Sequence, residues 1–124
     1  MKFPFKKGKE VIFEKVRSQQ GFTLENQEGR LTDFEDVDIE EYLQDMFVTA
    51  DQFVILTAPE PRRKVRYVQA CTHDGAIEVE LGIEEEGTRL YYMMCTEQEC
   101  CRIFLDFYDG MLEPKMEEYK PVEF

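Results

Sequence analysis

Between Ala76 and Ile83 the chain reads A-I-E-V-E-L-G-I, so Ile77, Val79, Leu81 and Ile83 alternate with Glu78 and Glu80. A period of two puts the apolar set on one face of a strand and the carboxylates on the other. Asp74-Gly75, just before it, is a two-residue hairpin signal, because both residues tolerate positive φ. With those two at the turn, Thr72 meets Ile77, Ala70 meets Val79 and Val68 meets Leu81, which aligns small and apolar residues on one face. A second turn through Glu84-Glu85-Glu86-Gly87 sets Leu81 against Leu90, Val79 against Tyr92 and Ile77 against Met94. Residues 65–95 therefore read as three antiparallel strands.

A fourth strand, Gln52 to Thr57, is apolar on both sides and leads through Ala58-Pro59-Glu60-Pro61, read as a proline loop, into Arg62, Arg63 and Lys64. Upstream, Ile39, Tyr42, Leu43, Met46 and Phe47 fall on one stripe of a helix over residues 37–48, with Asp38 and Glu41 as its capping box. A second helix starts at Thr96, with Glu99 reaching back. Its stripe is Cys100, Ile103, Phe104 and Phe107, and Gly110 ends it. In the first third, Glu10 to Val16 and Phe22 to Glu25 suit two strands about Ser18-Gln19-Gln20-Gly21, or a first helix. The tail after Pro114 reads as short, charged and extended. No repeat or linker divides the chain. The expected fold is one acidic α+β domain over residues 1–124, an antiparallel β-meander of at least four strands with two or more helices packed on it.

The 124 residues, 43% hydrophobic with ten Phe and six Tyr, suffice to close one core. No apolar run approaches the roughly 18 residues that span a membrane, and the basic start lacks a secretory apolar region, so a cytoplasmic protein is expected. Net charge is −12, unevenly spread. Residues 1–20 carry six basic and two acidic side chains, whereas residues 21–50 carry one basic and nine acidic. Such a field opposes binding to nucleic acid or anionic membranes and steers basic partners in, although solubility alone also accounts for it. The short run Arg62, Arg63, Lys64 and Arg66 is expected to pair with neighbouring Glu residues.

Candidate chemistry is sparse. One His (His73) and one Ser (Ser18) stand in unrelated turns, so no catalytic triad is expected. Cys71 and His73 point the same way on a strand but lack an evident orienting group or oxyanion site. Cys95, Cys100 and Cys101 straddle a strand–helix junction without a metal-ligand spacing. All four cysteines are expected to be reduced thiols, and neither a metal nor a cofactor is expected. The remaining candidates are binding surfaces. The second face of the meander gathers Tyr67, Gln69 and Cys71 beside Glu78 and Glu80, then Arg89, Tyr91 and Met93, unless another segment covers it. Aromatic anchors with a flexible Met and carboxylates suit a protein partner. The acidic helix face with Asp38, Glu41 and Asp45 is the second candidate, against ordinary solvation.

The stretches Phe53-Val54-Ile55-Leu56, Val68-Gln69-Ala70, Glu78-Val79-Glu80 and Tyr91-Tyr92, followed by Glu99 and Ile103-Phe104-Leu105-Asp106-Phe107-Tyr108, resemble small immunity proteins of bacterial polymorphic-toxin and contact-dependent inhibition systems. The resemblance covers roughly residues 50–110 and is carried mostly by apolar patterning. It implies a cytoplasmic antidote that holds a cognate, basic toxin inactive without catalysis of its own. Two other classes fit the composition: a dimeric acidic secretion-type chaperone, and a small enzyme or metal sensor using Cys71, His73 and the Cys95–Cys101 group.

Overall fold

The computed structural model describes residues 21–49 and 51–123. The strand expected over Glu10–Val16 lies outside them. In chain order the elements are β1 (Thr23–Asn26), β2 (Gly29–Leu31), α1 (Asp36–Phe47), β3 (Phe53–Arg62), β4 (Val65–His73), β5 (Ala76–Glu84), β6 (Thr88–Cys95), α2 (Glu97–Tyr108), a 3-10 turn (Met116–Glu118) and β7 (Lys120–Pro121). The strands form one antiparallel sheet in the order β2-β1-β3-β4-β5-β6-β7. Both helices lie on one face of it, against each other and against the central strands. The expected α+β meander with two packed helices is the fold found.

The core follows from strand alternation. Val54, Leu56 and Ala58 of β3, Val68 and Ala70 of β4, and Ile77, Val79 and Leu81 of β5 are buried beneath Ile39, Leu43 and Met46 of α1 and Cys100, Ile103, Phe104 and Phe107 of α2. Tyr108 closes one end. Its hydroxyl donates to the Phe34 carbonyl at 2.9 Å, and its ring stacks on Phe34 and meets Phe22 edge-on. Arg62 lies 4.7 Å from the Phe22 ring centroid and donates to the Tyr108 carbonyl, joining β3 to the end of α2.

Four local readings change. The helix cap sits three residues earlier than expected: Glu35 is the N-cap, and Asp38 accepts from its N–H at 2.8 Å. Pro59 and Pro61 do not form a loop but lie within the ten-residue β3. The last β1 partner on β3 is Thr57, and a Cβ at Gly21 would stand 2.9 Å from Pro59. The β3–β4 register shifts between Thr57 and Arg62, an irregular stretch of the kind that accommodates proline in a strand. The hairpin to β4 turns on Arg63 and Lys64, both at positive φ (51° and 73°), a conformation their side chains do not advertise. The tail is not simply extended: Tyr119 is buried and β7 adds to β6.

The second helix follows its sequence closely. Thr96 Oγ1 accepts from Glu99 N–H at 3.1 Å and Glu99 accepts from Thr96 N–H at 2.9 Å. Thr96→Ala should therefore lower unfolding free energy by about 1 kcal/mol in urea denaturation, the usual effect of losing an N-cap. An unchanged midpoint would show that the cap is not in place in solution.

Candidate functional site

The sheet face opposite the helices has no described helix packed on it, and its side chains fall in three rows set by the ladder. One row holds Phe53, Cys71, Glu78 and Met94. The next holds Glu25, Ile55, Gln69, Glu80, Tyr92 and Lys120, and the third holds Thr57, Tyr67, Gly82 and Leu90. Most of these are half-buried, while Met94 is 53% exposed.

Of the site residues expected from sequence, Tyr67, Glu78 and Glu80 lie on this face, but Arg89, Tyr91 and Met93 do not. The turn after β5 is a three-residue loop, Glu85 to Gly87, with Glu84 opposite Thr88. Leu81 therefore faces Tyr91 and Val79 faces Met93, one residue away from the expected register. Because side chains alternate, that single step turns Tyr91 and Met93 inward, where they pack on the core. Arg89 moves to the opposite side, beside Ile83 and exposed near the loop. Leu90, Tyr92 and Met94 take their places outside. The four-residue stretch E-E-E-G carries no residue that distinguishes the two loop lengths, so sequence pattern missed this set. The first hairpin, around Asp74-Gly75, has the expected register from Thr72–Ile77 to Val68–Leu81, and it shifts only between Tyr67 and Val65.

Tyr67 is the best-fixed member. Its ring lies across Gly82: a Cβ there would stand 2.1 Å from Cε2 of Tyr67. Its hydroxyl donates to Glu80 Oε2 at 3.0 Å. Burial, then the Glu80 carboxylate, pushes the Tyr67 phenol well above its ordinary value of 10.0. Beside it, Glu78, Glu80, Tyr92, Lys120 and the 121–123 segment line a shallow groove of about 600 Å³.

The Cys71–His73 pair is brought together, with Sγ 3.4 Å from Nε2. Burial, then Glu78 and Glu80, pushes the Cys71 thiol up, away from the thiolate that nucleophilic chemistry needs. Among the described residues, no group of three His, Cys, Asp or Glu side chains is arranged to hold a metal ion. Three of the four residues of the basic run pair with Glu as expected, while Arg62 meets the Phe22 ring and the Tyr108 carbonyl. Arg63 pairs with Glu113 at 2.8 Å, Lys64 with Glu85, and Arg66 with Glu84 at 2.6 Å. On α1, Glu41 and Asp45 are exposed, whereas Asp38 is engaged in the cap. No described helix is long and apolar enough to cross a membrane. Comparisons of the chain with protein-family profiles, curated proteins and solved structures find no match.

Two outcomes test this geometry. Gly82→Ala should destabilise the protein by about 1–3 kcal/mol through overpacking against Tyr67, and most of that loss should vanish when Tyr67→Ala is made with it. Equal losses in both backgrounds would contradict the contact. Burial also pushes Tyr108 and Tyr119 up to about 12, with Asp36 adding to the first and Cys95 to the second. In an unfolded chain tyrosine titrates near 10, so above that pH the folded state holds more protons than the unfolded state. The linked stability is present below about pH 10 and is lost as pH rises toward the folded values. Absorbance titration at alkaline pH should show Tyr67, Tyr108 and Tyr119 ionising late, accompanied by unfolding. Full ionisation near pH 10 with the fold intact would contradict it.

Proposed function

We propose that this protein is a non-catalytic binding domain, an immunity-type inhibitor that acts in the cytoplasm by docking a basic toxin on the outer face of its sheet. The observation that carries the reading is the composition of that face: Tyr67 pinned over Gly82 beside Glu78, Glu80, Tyr92 and Met94. Rigid aromatic rings supply contact area at low entropic cost, and a flexible thioether adapts to the partner. The two carboxylates favour cationic side chains and disfavour acidic ones. Net charge of −12 adds long-range attraction for a basic partner. Glu41 and Asp45 on α1 present a second acidic surface on the other side of the molecule and play the lesser part.

Co-expression with the product of a neighbouring toxin-like gene tests the reading. The chain should restore growth and bind the purified toxin domain. Tyr92→Ala should weaken binding by at least about tenfold, as expected for a central aromatic anchor. Glu78→Lys should slow association and flatten its salt dependence. Glu41→Lys should change affinity much less. A gene neighbourhood that encodes no toxin, or a complex insensitive to both sheet-face changes, would overturn the proposal.

A further inference from the structure

The junction between β6 and α2 places two thiols in a geometry that helix starts ordinarily reserve for apolar side chains. Thr96 is the N-cap of α2, and Glu99 completes its capping box. Cys95 therefore stands immediately before the cap, and Cys100 stands four residues into the helix. These are the two positions whose side chains meet as a hydrophobic staple. Cys95 packs against the core cluster to which Cys100 belongs, close enough for each thiol to shift the other's ionisation. Cys95 faces the core side of β6 opposite Ile77 and is half-buried, while Cys100 is wholly buried. The outer sulfur is thus the one a small reagent reaches, and the inner one lies close to it.

We propose that Cys95 and Cys100 are a redox modification site, a reactive thiol and its resolving partner that hydroperoxides convert to an intramolecular disulfide. The steps balance without a cofactor. Cys95 sulfur attacks the peroxide, the S–O bond forms as the O–O bond breaks, and the displaced oxygen leaves with a proton as water or an alcohol. Cys100 sulfur then attacks Cys95 sulfur, forming S–S as S–O breaks, and its own proton leaves with the hydroxyl as water. Two thiols are oxidised by two electrons and one peroxide is reduced. Selectivity comes from surroundings. Interaction with the Cys100 thiol holds the Cys95 thiol below its ordinary value despite burial and the nearby Glu99. Burial, followed by nearby carboxylates, pushes Cys71 and Cys101 the other way. The bond would tie the end of β6 to the first turn of α2.

Folded, reduced full-length protein treated with a small excess of hydrogen peroxide, then denatured and alkylated with N-ethylmaleimide, tests this. Two of the four thiols should escape alkylation, with the intact chain two mass units lighter before labelling. Cleavage after Glu97 and Glu99 should leave the Cys95 and Cys100 peptides joined only by the disulfide. The link should persist in Cys101→Ser and vanish in Cys100→Ser, where dimedone should instead trap a sulfenic acid on Cys95. Cys95→Ser, at a half-buried position that tolerates it, should slow thiol loss about tenfold. A link to Cys71 or Cys101, a disulfide between chains, or unchanged kinetics in folded Cys95→Ser would overturn the proposal.

Discussion

A one-residue slip of β6 against β5 would exchange the two faces of the sheet at that strand, and the three-residue loop Glu85–Gly87 decides which register is made. In the register found, Tyr91, Met93 and Cys95 join Leu81, Val79 and Ile77 on the helix side. Leu90, Tyr92 and Met94 join Gly82, Glu80 and Glu78 on the other. Both proposed sites depend on this choice. It builds the mixed aromatic and acidic outer face, and it turns Cys95 inward to meet the first turn of α2. On the other flank of β5, the Tyr67 ring fills the space above Gly82 and holds β4 in place. The strand itself cannot slip cheaply, since that would carry Glu78 and Glu80 beneath the helices, where unpaired carboxylates cost several kcal/mol.

Among the described residues, the sheet is asymmetric by layer and guarded at its edges. Apolar positions of β3, β4 and β5 on the helix side bury almost completely, whereas those of β6 and the side chains across the sheet remain half-covered. At one edge β7 is only Lys120–Pro121, where proline removes a donor and lysine adds charge. At the other, β2 is three residues long and carries Arg30. Short, charged or proline-bearing edges discourage further strand addition. The proposed docking through the outer face would use side chains rather than backbone, in keeping with these edges.

Much of the fold was legible because the sequence states it locally. β5 alternates cleanly, Asp74-Gly75 marks its turn, and Thr96 with Glu99 marks the start of α2. What escaped did so for identifiable reasons. Arg63 and Lys64 form a tight turn without turn residues, because the hairpin imposes it on them. Pro59 and Pro61 look like loop residues, and their pattern does not reveal that β3 runs on through them past its last β1 partner, Thr57. The site was half legible. Tyr67, Glu78 and Glu80 followed from the first hairpin, but Tyr92 and Met94 required a loop length that four residues of E-E-E-G leave unstated.

The outer face as the docking surface is the central claim, and hydroxyl-radical footprinting of the chain, free and with the proposed toxin-like partner, tests it most directly. In the free protein Met94 and Tyr92 should be oxidised faster than Met93 and Tyr91, and partner binding should protect Met94 and Tyr92 selectively. Faster reaction at Met93, or protection confined to Glu41 and Asp45 of α1 with Met94 unchanged, would contradict the account.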